Sequence, residues 1–327
     1  MRFDDLRATA FWAKSGEDNG HSLIAHSLDV AAVSYRLLLH EPPSTREWLA
    51  RALGLKESEA LNWVAACCGL HDLGKATAGF QAKWAHGWER LKSVLGKRVY
   101  SASDERRHDL SGAALWLQHH SDSFCSGEIW KRAPAFCAAA HHGFVSGLHE
   151  ITKCLPAMED SALVSLREEL LRAFLDTVAP PKHVHGEFDT PLATWLAGLT
   201  AIADWIASNP EWFPYGFRDC QRLKSYYEHA KELAGVALEA IGWPEYRPLL
   251  SEDADIHQLL VRLTGLSQVS ARELQKTVDE VARGIKGPSL LIVEAPMGEG
   301  KTEAAFLAHL HLQRANSDWL HVPGPGR

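Results

Sequence analysis

Residues that could bind a metal ion recur along the chain, and the densest pair follows an apolar run. His71 and Asp72 are adjacent and are followed by Gly74 and Lys75. An imidazole and a carboxylate side by side can hold one divalent ion or bridge two. A single pair is weak evidence, because adjacent His and Asp occur by chance in most chains of this length.

Further histidines and one carboxylate accompany this pair, each beside a predicted helix. They are His26 upstream and His108, His141, His142 and Asp204 downstream. Each has an ordinary explanation when taken alone, such as a core histidine, a helix-end histidine favoured by the dipole, or a hydrogen-bonded buried carboxylate. Lys75 could simply bind helix carbonyls. Equally dense histidines at 119–120 and 183–185 receive no role.

Composition limits the classes of function. The chain has 327 residues, of which 46% are hydrophobic and 23% charged, and a formal net charge of -7. That charge argues against a uniformly basic nucleic-acid coat but not against a local basic groove. None of the six cysteines forms a C-x-x-C pair, so we expect reduced thiols in a cytoplasmic protein. No apolar run reaches transmembrane length, so no membrane association is expected.

Apolar residues recur at helical spacing over most of the first 240 residues, which predicts a mainly α fold without a convincing strand there. The predicted helices cover 22–39, 58–70, 109–120, 133–142, 159–178, 191–208, 219–241 and 255–284. Pro134 is expected at the first position of its helix. Gly74 is expected to end the second helix in the left-handed conformation.

Residues 83–107 form the most basic stretch, with seven Lys or Arg against three Asp or Glu. Trp84, Trp88 and Tyr100 are interleaved with these charges. Positive charges for phosphates and flat rings for bases are what single-stranded nucleic acid requires. A solvated loop with anchoring tryptophans explains the same residues equally well.

A different pattern begins at residue 289. The continuous apolar run 289–294 predicts a buried parallel strand, which leads into Ala-Pro-Met-Gly-Glu-Gly-Lys-Thr at 295–302 and then a helix. Strand, phosphate-binding loop and helix in this order indicate nucleotide binding, although Ala stands where the first Gly is usual. The residues expected to bind the phosphates and magnesium are Gly298, Gly300, Lys301 and Thr302.

Only 25 residues follow Thr302. One strand of the buried parallel type cannot be covered by so short a segment. We therefore expect a truncated unit that does not hydrolyse ATP.

His26, the pair His71-Asp72 and Asp204 together resemble the HD phosphohydrolase superfamily, and the three further histidines resemble its two-metal branch. The segments LHDLGK (70–75), RHDLSG (107–112), AHHG (140–143) and GLTAIADW (198–205) are similar to one family in particular. This is the CRISPR-associated nuclease-helicase of type I interference systems, in which an HD nuclease precedes a superfamily 2 helicase. The phosphate-binding loop and the segment 272–275, similar to the helicase Q motif, extend the resemblance over about 20–310.

The resemblance implies two divalent transition-metal ions, which would be iron, manganese, cobalt or nickel. It implies that one ion is held by His26, His71, Asp72 and Asp204, and the other by His108, His141 and His142, with Asp72 bridging. It also implies that Asp72 and Lys75 are catalytic, with Lys75 near the scissile phosphate or behind the ligands. Gln275 would read adenine, with Mg-ATP bound only by the full-length helicase.

The resemblance also implies an all-helical HD-domain bundle followed by the first strand, loop and helix of an incomplete α/β helicase domain. The expected divisions are an HD nuclease domain over 1–242, a helical linker and helicase start over 243–288, and a truncated P-loop unit over 289–327. The expected function is cleavage of single-stranded DNA in CRISPR interference. The expected protein is a monomer whose partner is an RNA-guided surveillance complex.

Two alternatives stay open. An HD nucleotidase or cyclic-nucleotide phosphodiesterase would use the same metal ligands but leaves the phosphate-binding loop without a purpose. A non-catalytic, ATP-gated docking module would keep the HD residues for structure only. Degradation of a long circular single strand would separate the nuclease from the nucleotidase.

Overall fold

The structure is a computed structural model that describes residues 1–16, 20–96, 106–156, 159–247, 249–250, 254–286 and 289–317. Helices dominate these residues, which confirms the predicted mainly α class. The chain forms two compact units, one of residues 1–40 and 49–244 and one of residues 41–48 and 245–327. No helix in the described part is both long and apolar enough to cross a membrane.

The first unit is a helical bundle built around one central helix. Its helices are α1 (Leu23–His40), α3 (Glu57–Gly69), α4 (Ala78–Gln81), α5 (Ala85–Leu95), α6 (His108–Leu115), α7 (Glu128–Ala140), α8 (Leu148–Lys153), α9 (Ser161–Val178), α10 (Thr190–Ala207) and α11 (Leu223–Ala240). Helix α2 (Pro43–Leu53) crosses the boundary between the units at residue 49. Helix α1 packs against α3, α9, α10 and α11, and every residue from 23 to 34 is buried. Polar groups inside α1 are therefore held in the core.

Two short strands precede the bundle, so the expectation of no strand in this part of the chain was wrong. Strands β1 (Trp12–Lys14) and β2 (His21–Ser22) pair antiparallel, with Trp12 opposite Ser22 and Lys14 opposite His21. Strands of three and two residues are too short to show an alternating sequence pattern.

Helix α7 begins five residues before the predicted start, and Pro134 lies inside it rather than at its first position. A proline inside a helix has no N–H for the carbonyl four residues earlier. Here that carbonyl belongs to Trp130, and it accepts a hydrogen bond of 2.8 Å from the indole Nε1 of Trp116. The tertiary contact satisfies the group that the proline leaves open. The indole donor belongs to a π-helical turn, Trp116–His120, which follows α6 where a single helix over 109–120 was predicted.

Gly74 does not adopt the left-handed conformation predicted for it, because it lies in a 3₁₀ turn over Leu73–Lys75. A glycine is needed at this position because the backbone of another segment lies very close to it. A Cβ atom at residue 74 would lie 1.9 Å from the carbonyl oxygen of His108 and 2.5 Å from the amide of Gly112. The turn after α3 can therefore pack directly against the start of α6.

The second unit contains α12 (Ile256–Thr264), α13 (Glu273–Gly284) and α14 (Lys301–Ser317). The single helix predicted over 255–284 was wrong, because Gly265, with φ of +69°, ends α12 in the left-handed conformation. The segment predicted as a strand, 289–294, is not paired with another strand in the described residues. Leu291 and Val293 pack on α13 and α14, whereas Leu290 and Ile292 are exposed.

Candidate metal centre

Helix ends position two of the predicted histidine ligands in the same way. His71 follows α3, and its Nδ1 bonds the carbonyl of Cys68 at 2.9 Å. His141 follows α7, and its Nδ1 bonds the carbonyl of Ala138 at 2.7 Å. A carbonyl can only accept, so Nδ1 carries the proton and Nε2 is the atom left to bind an ion.

The first cluster consists of His26, His71, Asp72 and Asp204. His26 Nε2 lies 3.4 Å from Asp72 Oδ2 and 3.1 Å from Asp204 Oδ1. His71 Nε2 lies 3.3 Å and 3.5 Å from the same two oxygens. An ion with bonds of about 2.1 Å separates its ligand atoms by about 3.0–3.4 Å, so these four atoms fit one ion.

The second cluster consists of His108, His141 and His142, whose ligand atoms lie within 4.8 Å of one another. The Nε2 atoms of His108 and His142 are 3.3 Å apart. Asp72 Oδ1 is 3.4 Å from His108 Nε2 and 4.0 Å from His141 Nε2. One oxygen of Asp72 therefore faces the first cluster, and the other faces the second.

Several of these atoms are buried without a hydrogen-bond partner in the described chain, namely Nε2 of His26, His71 and His141 and Oδ1 of Asp72. A buried polar atom without a partner is costly. Here such atoms converge on two points. Five imidazoles and two carboxylates suit divalent transition metals better than magnesium. The residues fit two such ions.

Two lysines lie against the first cluster. Lys75 is 6% exposed, and its Nζ lies 2.6 Å from Asp72 Oδ2 and 3.3 Å from the carbonyl oxygen of Ala13. Lys14 extends from β1, and its Nζ lies 3.6 Å from Asp204 Oδ1. The sequence analysis did not single out Lys14, since a lysine in a three-residue strand gives no sequence signal.

Gln81 is a second residue that the sequence analysis missed, and it is fully buried. Its Nε2 donates to the carbonyls of Trp12 at 2.9 Å and Lys75 at 2.8 Å, while Oε1 accepts from the amide of Trp12 at 3.1 Å. Gln81 thus joins strand β1 to the turn that carries Lys75.

The first cluster is highly charged. Burial lowers the pKa of His71, but the carboxylates of Asp72 and Asp204 outweigh it and raise the pKa to about 9. Burial raises the pKa of Asp72, but the charges of Lys75 and His71 hold it well below its usual value. Burial likewise raises the pKa of Asp204, and bonds from His26 and His71 reverse the shift. Both carboxylates are ionised at neutral pH.

The second cluster is nearly neutral in comparison. Burial lowers the pKa of His108 to about 4. Burial, followed by the charge of His71, lowers the pKa of His141 to about 3. Both rings are therefore unprotonated at neutral pH, which is the form that binds a metal ion.

The predicted nucleotide-binding residues line one cleft of about 710 Å³ within the second unit; they are Gln275, Gly298, Gly300, Lys301 and Thr302. Lys301 Nζ donates to the carbonyls of Ala295 and Pro296 at 2.6 and 2.9 Å. Gln275 accepts from the amide of Arg272 at 3.0 Å and donates to the carbonyl of Gly300 at 3.4 Å.

The tryptophan rings of the basic stretch contact other side chains of this chain. Arg90 lies over the ring of Trp84 at 6.0 Å, and Lys92 lies over Trp88 at 5.9 Å. Trp84 also packs edge-on against Trp12 at 5.6 Å. These contacts favour the anchoring interpretation for this part; residues 97–105, with Tyr100, lie outside the described residues.

A comparison with protein-family models matches residues 12–213 to the family described as "Cas3, HD domain". The match includes every residue of both clusters and more than half of the chain. The chain belongs to the Cas3 HD-domain family.

Relatives of this HD domain agree with the assignment. The CRISPR-associated endonuclease/helicase Cas3 of Thermus thermophilus is 37% identical over 311 residues, which cover 94% of this chain and 32% of that protein. The chain thus spans about a third of that relative's length. The crystal structure of the Thermus thermophilus Cas3 HD domain in the presence of Ni²⁺ is 34% identical with a TM-score of 0.56, and covers 73% of this chain and 92% of that chain.

A third similar structure carries the description "CRISPR RNA-guided surveillance complex, pre-nicking". It is 25% identical to this Cas3 HD-domain chain with a TM-score of 0.65, and covers 94% of this chain and 35% of that chain.

Proposed function

We propose that this chain is the metal-dependent nuclease part of a CRISPR nuclease-helicase and that it cleaves single-stranded DNA at a two-ion centre. The observation that carries the proposal is the position of Asp72, whose two oxygens face two different clusters of ligand atoms. We assign one ion to His26, His71, Asp72 and Asp204, and the other to His108, His141 and His142, with Asp72 shared. Iron, manganese, cobalt and nickel suit this set.

Divalent ions held by these residues would neutralise charge on a phosphodiester and make a nearby water more acidic. The chain itself orients the side chains that would bind the ions. The carbonyls of Cys68 and Ala138 hold the rings of His71 and His141 with Nε2 toward the clusters. Lys75 keeps Asp72 ionised in a buried position, so we assign it a positioning role behind the ligands.

The substrate and partner are proposed from the relatives' descriptions and the family resemblance. The descriptions "endonuclease/helicase" and "RNA-guided surveillance complex, pre-nicking" support a cleaved nucleic acid and an RNA-guided complex as partner. The family resemblance adds single-stranded DNA as the proposed substrate. We also propose that the chain divides into 1–242, 243–288 and 289–327. We propose that the protein is a monomer in the cytoplasm. Binding of Mg-ATP through Gln275 and the phosphate-binding loop is proposed for the full-length helicase.

The test is cleavage of circular single-stranded DNA without ATP, after addition of manganese, cobalt, nickel or anaerobic ferrous iron. Asp72→Ala is run beside the unaltered chain, and Asp122→Ala, which alters an exposed carboxylate of the same unit, is the matched control. Cutting that needs both the ion and Asp72 is expected. Hydrolysis of nucleotides or cyclic nucleotides without DNA cutting would replace the proposal by the nucleotidase. Ion binding without turnover of either substrate would replace it by the docking module.

A further inference from the structure

Lys14 is the more accessible of the two lysines at the first cluster. Its side chain is 23% exposed, against 8% for Lys75. Lys75 has a second partner in the carbonyl of Ala13, whereas Lys14 Nζ has Asp204 as its one acceptor among the described residues. The two ammonium groups therefore differ in exposure and in the number of their acceptors.

The strand that carries Lys14 is anchored firmly. Lys14 pairs with His21 across the hairpin, and His21 Nε2 lies 2.9 Å from Asp29 Oδ2 in the core. Asp29 also accepts two hydrogen bonds from Arg218, at 2.8 and 2.7 Å, and one from Tyr226 at 3.1 Å. This fully buried carboxylate fixes the hairpin on α1, one turn after His26. The buried contacts of the hairpin thus keep Lys14 at the cluster, independently of its ion pair with Asp204.

An ion in the first cluster would compete with Lys14 for one atom. Asp204 Oδ1 lies 3.6 Å from Lys14 Nζ and 3.1 Å from His26 Nε2, so it is both the lysine's partner and a predicted metal ligand. Ser208 Oγ already donates to the same oxygen at 2.8 Å. Once an ion takes the remaining electron pairs of Oδ1, Lys14 is a partly exposed cation with no acceptor among the described residues. An anion bound at that ion would give Lys14 a new acceptor.

We propose that Lys14 binds a non-bridging oxygen of the substrate phosphate at the first cluster. This inference rests on the proposed function and names a substrate-binding residue for it. The ligand class is a phosphate ester. Lys75 does not share this role, because its side chain is only 8% exposed and it keeps the carbonyl of Ala13 as an acceptor.

The experiment compares Lys14→Gln and Lys14→Arg with Lys131→Gln, which removes a surface lysine paired with Asp122 and Glu128. All proteins carry Lys301→Ala so that the phosphate-binding loop does not contribute. Calorimetry first measures Mn²⁺ binding to each metal-free protein. It then measures binding of thymidine 5′-monophosphate to each Mn²⁺-loaded protein.

We expect Lys14→Gln to bind Mn²⁺ at least as tightly as the parent, because a competitor for Asp204 has gone. Its affinity for the nucleotide should fall roughly tenfold or more, since a charged hydrogen bond is lost. Lys14→Arg should retain most of that affinity, and Lys131→Gln should match the parent in both titrations.

Unchanged nucleotide affinity of Lys14→Gln would overturn the inference whatever its Mn²⁺ affinity, because Lys14 would then contact only Asp204. Absence of nucleotide binding by the loaded parent would overturn it as well. Cutting of circular DNA is scored separately. Lys14-dependent nucleotide binding without any DNA cutting would reject the nuclease function and leave the phosphate contact standing.

Discussion

Lys75 and Asp72 form a buried ion pair at the junction of the two clusters, with Nζ 2.6 Å from Oδ2. The residues are three apart in the chain, and their exposures are 6% and 1%. A buried carboxylate is costly unless a positive charge compensates it. In the metal-free protein Lys75 provides most of that charge, together with protonated His71.

Replacing Lys75 by methionine should destabilise the metal-free protein. The side chain keeps most of its length, but Asp72 loses its partner, so the free energy of unfolding should fall by about 3–5 kcal/mol. Mn²⁺ should restore much of this loss, because ions beside Asp72 supply the missing charge. Urea unfolding in EDTA and in Mn²⁺ measures both effects.

The control for this change is Lys92→Met, which breaks an exposed pair with Glu89. Exposed pairs contribute little, so its unfolding free energy should stay close to that of the parent in both buffers. Equal stability of the Lys75 variant and the parent in EDTA would show that Asp72 is compensated by other groups.

Binding of the first ion should release about one proton at pH 7. The pKa of His71 is about 9 in the metal-free protein, so its ring is protonated there and must lose the proton to bind an ion. His108 and His141, with pKa values of about 4 and 3, have no proton to release. Affinity at the first cluster should therefore rise with pH up to about 9 and then level off.

Calorimetric titration with Mn²⁺ at pH 7, in two buffers of different ionisation enthalpy, counts the released protons. His71→Gln should bind the ion more weakly and release none. A parent protein that releases no proton would contradict the assigned charge of His71.

Gly74→Ala should strongly destabilise the folded protein. The new methyl group would meet backbone atoms of His108 and Gly112, which cannot rotate away. Overpacking of this kind should lower the free energy of unfolding by about 2–3 kcal/mol. Displacement of His108 should also weaken ion binding at the second cluster.

Gly198→Ala is the matched control, because a Cβ there meets nothing within 4 Å and the residue lies inside α10. It should stabilise the protein by about 0.5–1 kcal/mol through helix propensity. Thermal or urea unfolding of both variants gives the comparison, and a Gly74→Ala protein as stable as the parent would refute the close packing.

His120 should make the protein sensitive to acid independently of the metal ligands. It is buried, and burial, followed by the charge of Arg167, lowers its pKa to about 3. The unfolded chain takes up this proton below about pH 6.5, so the stability that His120 contributes is present above that pH and is lost as the pH falls. The loss should reach up to about 2 kcal/mol by pH 5.

Urea unfolding in EDTA between pH 7.5 and 5 tests this. His120→Leu should lose less stability over that range than the parent, because it has no proton to take up. His119→Leu changes the exposed neighbour and should follow the parent. Identical pH profiles for the parent and His120→Leu would exclude a contribution from His120.

The helices and the ligand set could be predicted from the sequence because both depend on local signals. Apolar spacing places α1, α3 and α10 within a few residues of their observed bounds. The resemblance groups seven ligands that are spread from His26 to Asp204, and the structure brings them into two clusters. Their binding of ions stays a prediction.

The supporting residues depend on tertiary contacts and could not be predicted. Gln81 contacts Trp12 across 69 positions, and Lys14 reaches Asp204 across 190. The interior position of Pro134 is tolerated because a tryptophan from another helical segment bonds the open carbonyl. Such compensation has no local sequence signature.

The two hydrogen bonds of the Gln275 side chain bear on nucleotide recognition. The oxygen of Gln275 accepts from Arg272 and its nitrogen donates to Gly300, so one of its two lone pairs and one of its two N–H groups are engaged. If Gln275 reads adenine as proposed, a state that turns its whole amide edge toward the base would break both bonds, at a cost of about 1 kcal/mol each. That state is then a minor population, and the apparent affinity for adenine nucleotides is reduced in proportion. Such recognition of the base would therefore be coupled to loss of the contact between Gln275 and Gly300.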